Sequence, residues 1–335
     1  MTGPPVLSVE NLQAYYRTRY FGVNREVRAV DGITFDVHDN EIYGLAGESS
    51  SGKTTLIKTV AGLVKPPLQF VGGVARFSFL PGHDALATAP RAVALGVRWS
   101  TLSFIMQSSM NVLNPLRRIR HTFHDFAFRH VCSTRQEFGQ RVLDHLARVR
   151  LDPTVLDAYP HELSGGMRQR VTIALATICK PRFIIADEPT TALDVVVQKD
   201  VLGMIRQIQR ETGSSVLFVT HDMGVHAALT DRLGIMYAGR LVEEAPTRRL
   251  FAAPMHPYTQ HLIASLPRIG DAGHRQSLEG SPPNLADPPT GCRFHPRCPL
   301  ARDVCRASAP PIIATGGGHR VACHVVAGAG VGRPR

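Results

Sequence analysis

The feature that most constrains the fold of this chain is a glycine-rich turn at residues 47–54. Its sequence, GESSSGKT, fits the pattern G-x-x-x-x-G-K-[ST], which requires a buried strand before it and a helix after it. Both are predicted, because 41–47 (EIYGLAG) is typical of a buried strand and 53–63 (KTTLIKTVAGL) has helical apolar spacing. Glycines in such a turn allow backbone N–H groups to surround phosphate oxygens. The turn therefore predicts a phosphate-binding loop in an α/β fold.

A second predicted strand ends in two acids. The run FIIAD at 183–187 is apolar as far as Asp187, and Glu188 follows directly. A carboxylate at the end of such a strand, together with the Thr54 hydroxyl of the loop, supplies the oxygen ligands that Mg²⁺ prefers. Glu188 is a candidate general base that polarises a water molecule for attack on a γ-phosphate. The two acids therefore indicate that the chain hydrolyses a nucleoside triphosphate.

The rest of the chain alternates predicted strands and helices. The predicted elements are β-rich runs near 6–9 and 33–37, a helical region from 114 to 180, a helix at 195–212, a strand at 216–220 and a hairpin in 233–245. This alternation favours an α/β fold with a mostly parallel sheet, and the long helical region indicates an inserted subdomain. After about residue 250 the composition shifts to Pro, Gly, Arg and Cys, which indicates a further region.

The run LSGGMRQR at 163–170 resembles the signature sequence of ABC-type ATPases, and the other motifs follow in the order of that family. The resemblance implies an ATPase domain at 1–250 with a RecA-like core, a mostly parallel sheet and an antiparallel β subdomain. An inserted helical subdomain is expected at about 111–180, and a small C-terminal extension at 251–335. ATP and Mg²⁺ are the implied ligands.

The resemblance also implies roles for individual residues. The implied nucleotide-binding residues are Tyr16, Gly47, Glu48, Ser49, Ser50, Ser51, Gly52, Lys53, Thr54, Thr55 and Gln107, with Tyr15 as an alternative to Tyr16 for stacking on adenine. The implied magnesium ligands are Thr54, Gln107 and Asp187, and the implied catalytic residues are Glu188 and His221. The implied contacts with ATP held by a partner subunit are Ser164, Gly165, Gly166 and Gln169, with Asp194 in the adjoining D-loop.

Two positions depart from the pattern of the family. Ser50 stands in the phosphate loop where most members have glycine, so a side chain is expected at a position that favours positive φ. That conformation costs a residue with a Cβ on the order of 1 kcal/mol. Ser108 follows Gln107 directly, at a position where one branch of the family usually has an acid.

Four further segments narrow the resemblance to the ATPases of oligopeptide and dipeptide importers. These segments are SMNVLNP at 109–115, YPHELSGGMRQR at 159–170, HPYT at 256–259 and GSPPN at 280–284. The implied function is ATP hydrolysis that powers peptide uptake. An importer of nickel or another small solute shares this architecture and remains an alternative. A soluble ABC ATPase acting on nucleic acid is disfavoured, because such proteins usually carry two cassettes or a long coiled-coil insertion.

The implied partners are a second ATPase subunit, identical or a sister chain, and two membrane permease subunits, with a substrate-binding protein acting indirectly. A nucleic-acid partner is not expected: the net charge is +11, but no block of five like charges occurs. No apolar run is long enough to span a bilayer, and the N-terminus lacks a signal-peptide pattern. We therefore expect a protein held peripherally at the cytoplasmic face of the membrane.

Four cysteines lie close together in the extension: Cys292, Cys298, Cys305 and Cys323. Clustered cysteines in a cytosolic chain suggest a metal rather than disulfides, and this spacing lacks the C-x₂-C pairs typical of structural zinc. The family resemblance favours a [4Fe–4S] cluster, while zinc or no metal remain open. The isolated Cys132 and Cys179 are not implicated. We expect this segment to have a core separate from that of the phosphate loop.

Overall fold

The structure, a computed structural model, describes residues 4–20, 22–106, 113–132, 134–191, 193–266 and 278–328. The chain forms two compact units. The first, here called the helical unit, contains Met1–Val6, Val37–Ile42 and Ala89–Phe218. The second, here called the loop unit, contains Leu7–Asp36, Tyr43–Thr88 and Val219–Arg335.

The strands are β1 (Pro5–Tyr20), β2 (Val23–His38), β3 (Ile42–Ala46), β4 (Leu68–Phe77), β5 (Leu102–Ile105), β6 (Phe183–Asp187), β7 (Ser215–Val219), β8 (Arg232–Tyr237), β9 (Arg240–Pro246), β10 (Ile313–Ala314) and β11 (Arg320–Val321). The α-helices are α1 (Lys53–Val60), α2 (Arg91–Val97), α3 (Ile119–Val131), α4 (Arg135–Arg148), α5 (Gly165–Thr177), α6 (Val195–Thr212), α7 (Met223–Leu229), α8 (Thr247–Ala252), α9 (Pro257–Ala264), α10 (Asp303–Ala307) and α11 (His324–Gly328). Short 3₁₀ turns occur at Pro153–Leu156, Pro160–Glu162 and His295–Arg297.

The loop unit contains two sheets. One is a three-stranded sheet in the order β2-β1-β4, in which β1 and β4 are antiparallel. The other has the order β10-β11-β9-β8-β3, and β3 runs parallel to β8 with Tyr43 opposite Arg232. Every residue of β3 is buried, as expected for a strand covered on both faces. This buried parallel strand leads directly into the glycine-rich turn.

The helical unit contains strands in the order β7-β6-β5, with β5 and β6 parallel and Leu102 opposite Phe183. All residues of these three strands are buried. Helices α3, α4 and α5 contact one another, and α5 also contacts β5 and α6. The predicted strand at 183–187 and helix at 195–212 are confirmed as β6 and α6.

The predicted hairpin in 233–245 is confirmed by β8 and β9, which pair antiparallel with Tyr237 opposite Arg240. Ala238 and Gly239 form its turn with φ values of 48° and 81°. Primed turns of this kind need positive φ at both central residues, and their twist matches that of paired strands.

The extension packs into the core of the loop unit. Phe294 is fully buried, with its ring centroid 5.1 Å from that of Tyr237 and 5.5 Å from that of Tyr258. Cys292 and Cys298 pack against the same cluster of buried side chains, which also contains Ala46 at the end of β3. The expectation of a separate core for the cysteine segment is therefore wrong. Buried aromatic area ties this segment to the strand that precedes the phosphate loop.

Among the described residues, no helix has the length and apolar character that crossing a membrane requires.

Candidate functional site

Two glycines give the turn after β3 its shape. Gly47 has φ 150°, and Gly52, at the N-cap of α1, has φ 102°. A Cβ at Gly47 would lie 2.2 Å from the carbonyl oxygen of Met236, and a Cβ at Gly52 would lie 2.0 Å from that of Ala29. Backbone oxygens cannot move aside for a methyl group, so both positions require glycine. The close approach lets the turn wrap tightly around the N-terminus of α1.

The ammonium group of Lys53 holds this turn from within. Its Nζ donates hydrogen bonds to the carbonyl oxygens of Gly47 at 2.7 Å and Glu48 at 2.9 Å, and to Ser51 Oγ at 3.3 Å. The side chain is only 7% exposed. These bonds fix a cation beside the N-terminus of α1, where the helix dipole also favours an anion.

Ser50 has the predicted positive φ, at 65°. It is exposed, as is Ser49, whereas Thr54 is half-buried in the first turn of α1. The departure from glycine thus places a side chain in the left-handed region, which carries a conformational cost.

The two candidate adenine-stacking residues occupy different environments. The Tyr15 hydroxyl donates to Asp31 Oδ1 at 2.6 Å, and burial, followed by this hydrogen bond, raises the pKa of Tyr15 to about 12. Tyr16 is half-buried, and its hydroxyl lies 3.2 Å from Thr55 Oγ1 in the helix that follows the loop. The structure thus gives Tyr15 a core position and leaves Tyr16 beside the phosphate loop.

Tyr258 and Arg297 of the extension contact the loop, and no role was predicted for either residue from the sequence. The N–H of Glu48 donates to the Tyr258 hydroxyl at 2.8 Å. The Glu48 carboxylate pairs with Arg297 through Oε2–Nη1 at 2.8 Å and Oε1–Nη2 at 3.2 Å. The HPYT match at 256–259 marked the position of Tyr258 without indicating a role, and no sequence signal marked Arg297.

The two acids after β6 lie in the helical unit. Asp187 is the last residue of the strand and is 3% exposed. Glu188 has φ 47°, and its Oε2 accepts a hydrogen bond from Thr191 Oγ1 at 2.8 Å. A non-glycine residue in the left-handed region is a strained conformation of the kind that clusters at functional sites.

The signature run forms the start of α5 in the helical unit. Ser164 is its N-cap, and Ser164 Oγ accepts from the Met167 N–H at 3.2 Å. Asp194 plays the same part at α6, accepting from the Val197 N–H at 2.9 Å. Gln169 differs from Ser164 because its side chain is 4% exposed and packs within the protein. The exposed end of α5 is therefore formed by Ser164 and the glycines that follow it.

His221 is exposed and lies in the loop unit, two residues after β7 ends. Gln107, together with most of the 109–115 segment, lies outside the described residues.

The four clustered cysteines are all free thiols in the loop unit. Cys305 and Cys323 are buried, and the Cys292 N–H donates to the Cys305 carbonyl oxygen at 2.8 Å. Burial raises the pKa of Cys292 to about 11, and the charge of each of the other three thiolates adds to that rise. In the described ranges, no group of three or more His, Cys, Asp or Glu side chains is placed to hold a metal ion.

The helical unit contains a mostly apolar cavity of about 240 Å³. Its lining includes Trp99, Phe104, Met106, Leu113 and Phe126. Arg117 and Asp125 also line it and form an ion pair.

Two protein families match this chain. The family described as ABC transporter matches residues 30–191, and that described as oligopeptide/dipeptide transporter, C-terminal region, matches residues 242–305. A putative peptide import ATP-binding protein of Brucella abortus is 38% identical over 96% of this chain and 98% of its own length. The dipeptide transport ATP-binding protein DppD of Bacillus subtilis is 38% identical over 95% of this chain and 94% of its own length.

A solved structure shows the same fold. The dimeric ATP-binding cassette MJ0796 bound to ADP and phosphate has a TM-score of 0.62 at 23% identity, and the alignment covers 72% of this chain and 99% of that one. The glycine-rich turn, the acids after β6 and the serine-capped α5 are the elements that the sequence resemblance required. This chain belongs to the ABC transporter ATP-binding family, in the branch that carries the oligopeptide/dipeptide transporter C-terminal region.

Proposed function

We propose that this chain is the ATP-binding and ATP-hydrolysing subunit of an ABC importer that powers peptide uptake. The observation that carries the proposal is the conformation of the loop at 47–54, whose glycines and buried lysine form a phosphate cradle. The near full-length similarity to proteins named for peptide import supports peptides as the cargo.

Each site residue has a proposed role. Lys53 and the N–H groups of the loop bind the β- and γ-phosphates, and Tyr16 stacks on adenine. Thr54, Asp187 and Gln107 offer oxygen ligands of the hard type that Mg²⁺ takes, so the donor set fits this ion. Bound Mg²⁺ would neutralise phosphate charge. Glu188 accepts the proton of the attacking water, and His221 contacts the γ-phosphate, so catalysis depends mainly on positioning and electrostatics.

A second ATPase subunit completes the proposed site. The N-terminus of α5 combines a serine cap with two glycines, an arrangement suited to an anion. We assign Ser164, Gly165 and Gly166 to the nucleotide bound by the partner subunit. The burial of Gln169 favours a packing role for that side chain over direct contact with the nucleotide.

The proposed membrane partners are two permease subunits, which would hold the chain at the cytoplasmic face, with a substrate-binding protein delivering cargo. The apolar cavity at Trp99 and Phe104 is a candidate contact for apolar side chains of a permease helix. Arg117 lines the cavity, and the exposed Arg118 follows it in the chain. Their ion pairs, with Asp125 and Asp157, are about half exposed and contribute little to stability. Changing both arginines to glutamate should therefore lower recovery of the permease complex while the purified chain still binds ATP.

We also propose that the four clustered cysteines bind a [4Fe–4S] cluster. Four free cysteines in one segment supply the kind and number of ligands that such a cluster takes. A small Pro- and Gly-rich segment also gains stability when a metal binds.

Co-purification and uptake test the proposed function together. Full-length chain isolated from the membranes of its own cells should carry permease chains identifiable by mass spectrometry. Cells lacking the chain should lose uptake of labelled di- or oligopeptides and retain uptake of nickel. Loss of nickel uptake alone, or isolation without any permease, would contradict the proposal.

A further inference from the structure

The phosphate loop carries an acid of its own at Glu48. It is the single acidic residue in 47–55, a segment that must accept a highly anionic triphosphate. A carboxylate without a counter-charge there would repel the ligand, since like charges a few ångströms apart near a protein surface interact unfavourably. The loop therefore needs a counter-charge for Glu48 that does not come from Lys53.

Arg297 supplies that counter-charge through a fixed geometry. Its guanidinium forms two hydrogen bonds with the Glu48 carboxylate, at 2.8 and 3.2 Å, and its side chain is 6% exposed. Two further donors are also engaged: Nε donates to the Glu279 carbonyl oxygen at 3.1 Å, and Nη1 donates to the Tyr237 hydroxyl at 3.3 Å. A bidentate pair of this kind neutralises the carboxylate and also fixes its orientation.

The backbone of Glu48 is held by the same region. Its N–H donates to the hydroxyl of Tyr258, which is fully buried. The side chain and the main chain of one loop residue are thus both bound by residues of the segment after 250, and these contacts lie within the loop unit.

We propose that Arg297 is a positioning residue that sets the affinity of the phosphate loop for ATP by neutralising Glu48 and holding its carboxylate in place. The inference rests on the proposed function, because it concerns the same loop. It adds a determinant of nucleotide affinity from outside the cassette motifs.

The position of Arg297 links that affinity to the cysteine segment. Arg297 ends the 3₁₀ turn His295–Arg297, and Cys298 follows it directly. The turn is held by the hydrogen bond from the His295 N–H to the Cys292 carbonyl oxygen at 3.0 Å. The conformation of the cysteine segment therefore fixes where the guanidinium stands.

Nucleotide binding by the full chain tests the proposal. Arg297→Gln should raise the Kd for ATP about tenfold and the Kd for ADP by less, because ADP carries less negative charge. Arg297→Lys retains the positive charge but cannot form the bidentate pair, so its Kd for ATP should lie between those of wild type and Arg297→Gln. Arg306→Gln, an exposed arginine of the same segment, is the matched control and should bind like wild type.

The double variant Glu48→Gln/Arg297→Gln separates positioning from general damage. Removing both charges should restore ATP affinity to within about threefold of wild type. If Arg297→Gln instead weakened binding by damaging the fold, the loss of ATP affinity would persist in the double variant. ATP affinity in Arg297→Gln equal to wild type, or no recovery in the double variant, would overturn the inference. Absence of ATP binding by the wild-type chain would instead overturn the proposed function.

Discussion

The backbone N–H of Glu48 donates a 2.8 Å hydrogen bond to the hydroxyl of Tyr258, which lies 210 residues further along the chain. A residue of the phosphate loop is thus tied to α9, in the region where the oligopeptide/dipeptide transporter family matches. This contact makes the extension part of the structure that shapes the nucleotide loop.

Tyr258→Phe removes this acceptor and leaves the ring in place. Because the Glu48 N–H then loses its partner, the free energy of unfolding should fall by about 1–2 kcal/mol. Urea denaturation of the full chain, followed by circular dichroism, measures the change. A free energy of unfolding equal to that of wild type would show that the hydrogen bond contributes nothing.

Lys53→Ala removes the cation at the centre of the turn. The Kd for ATP should rise by an order of magnitude or more, because a charge-assisted hydrogen bond contributes about 1.5–3 kcal/mol. Isothermal titration calorimetry measures the Kd. Lys58→Ala, in the last turn of the same helix, is the matched control and should bind ATP normally. Equal affinities for the two variants would refute the role of Lys53.

Ser50→Gly should stabilise the chain. Glycine adopts the observed φ of 65° without steric cost, so the free energy of unfolding should rise by about 1 kcal/mol. Ser49→Gly serves as the control at the neighbouring exposed position and should lower stability, since glycine there only adds freedom to the unfolded chain. The changes in the free energy of unfolding should therefore have opposite signs in the two variants. Changes of the same sign would count against strain at Ser50.

The cysteine segment should bind iron when the chain is purified without oxygen. Metal analysis should give about four iron atoms per chain, and serine at any one of Cys292, Cys298, Cys305 or Cys323 should lower that number. Cys132→Ser and Cys179→Ser are controls and should retain the metal. One zinc per chain would favour a structural zinc site, and no metal would refute the proposal.

The same cysteine variants carry a second expectation. If the cysteine segment had a core of its own, replacing one of its cysteines would leave nucleotide binding intact. The shared core and the Arg297–Glu48 pair predict instead that Cys298→Ser weakens ATP binding.

Local sequence patterns predicted the conformation of the phosphate loop, but they predicted few of the contacts that hold it. The motif spacing predicted a glycine-rich turn between a strand and a helix, and the structure has this turn between β3 and α1. The predictions of β6, α6 and the β8–β9 hairpin are also confirmed. Each of these elements depends on a contiguous apolar run or on turn residues, which a local pattern reveals. The positive φ of Ser50 was also predicted, from the departure from glycine.

Contacts distant in sequence were not predictable in this way. Neighbouring strand residues point to opposite faces, so alternation could not decide which of Tyr15 and Tyr16 faces the core. No periodicity relates Arg297 to Glu48, and only the folded chain brings them together. The domain boundaries and the assigned roles of the site residues remain predictions.

ATP hydrolysis by the assembled transporter, compared between wild type and Glu188→Gln, tests the central claim most directly. Glutamine preserves the shape of the residue and removes the base, so turnover should fall roughly 10²–10⁴-fold while the affinity for ATP stays within about threefold of wild type. Hydrolysis by Glu188→Gln at a rate near that of wild type would contradict the claim that this chain hydrolyses ATP through that residue.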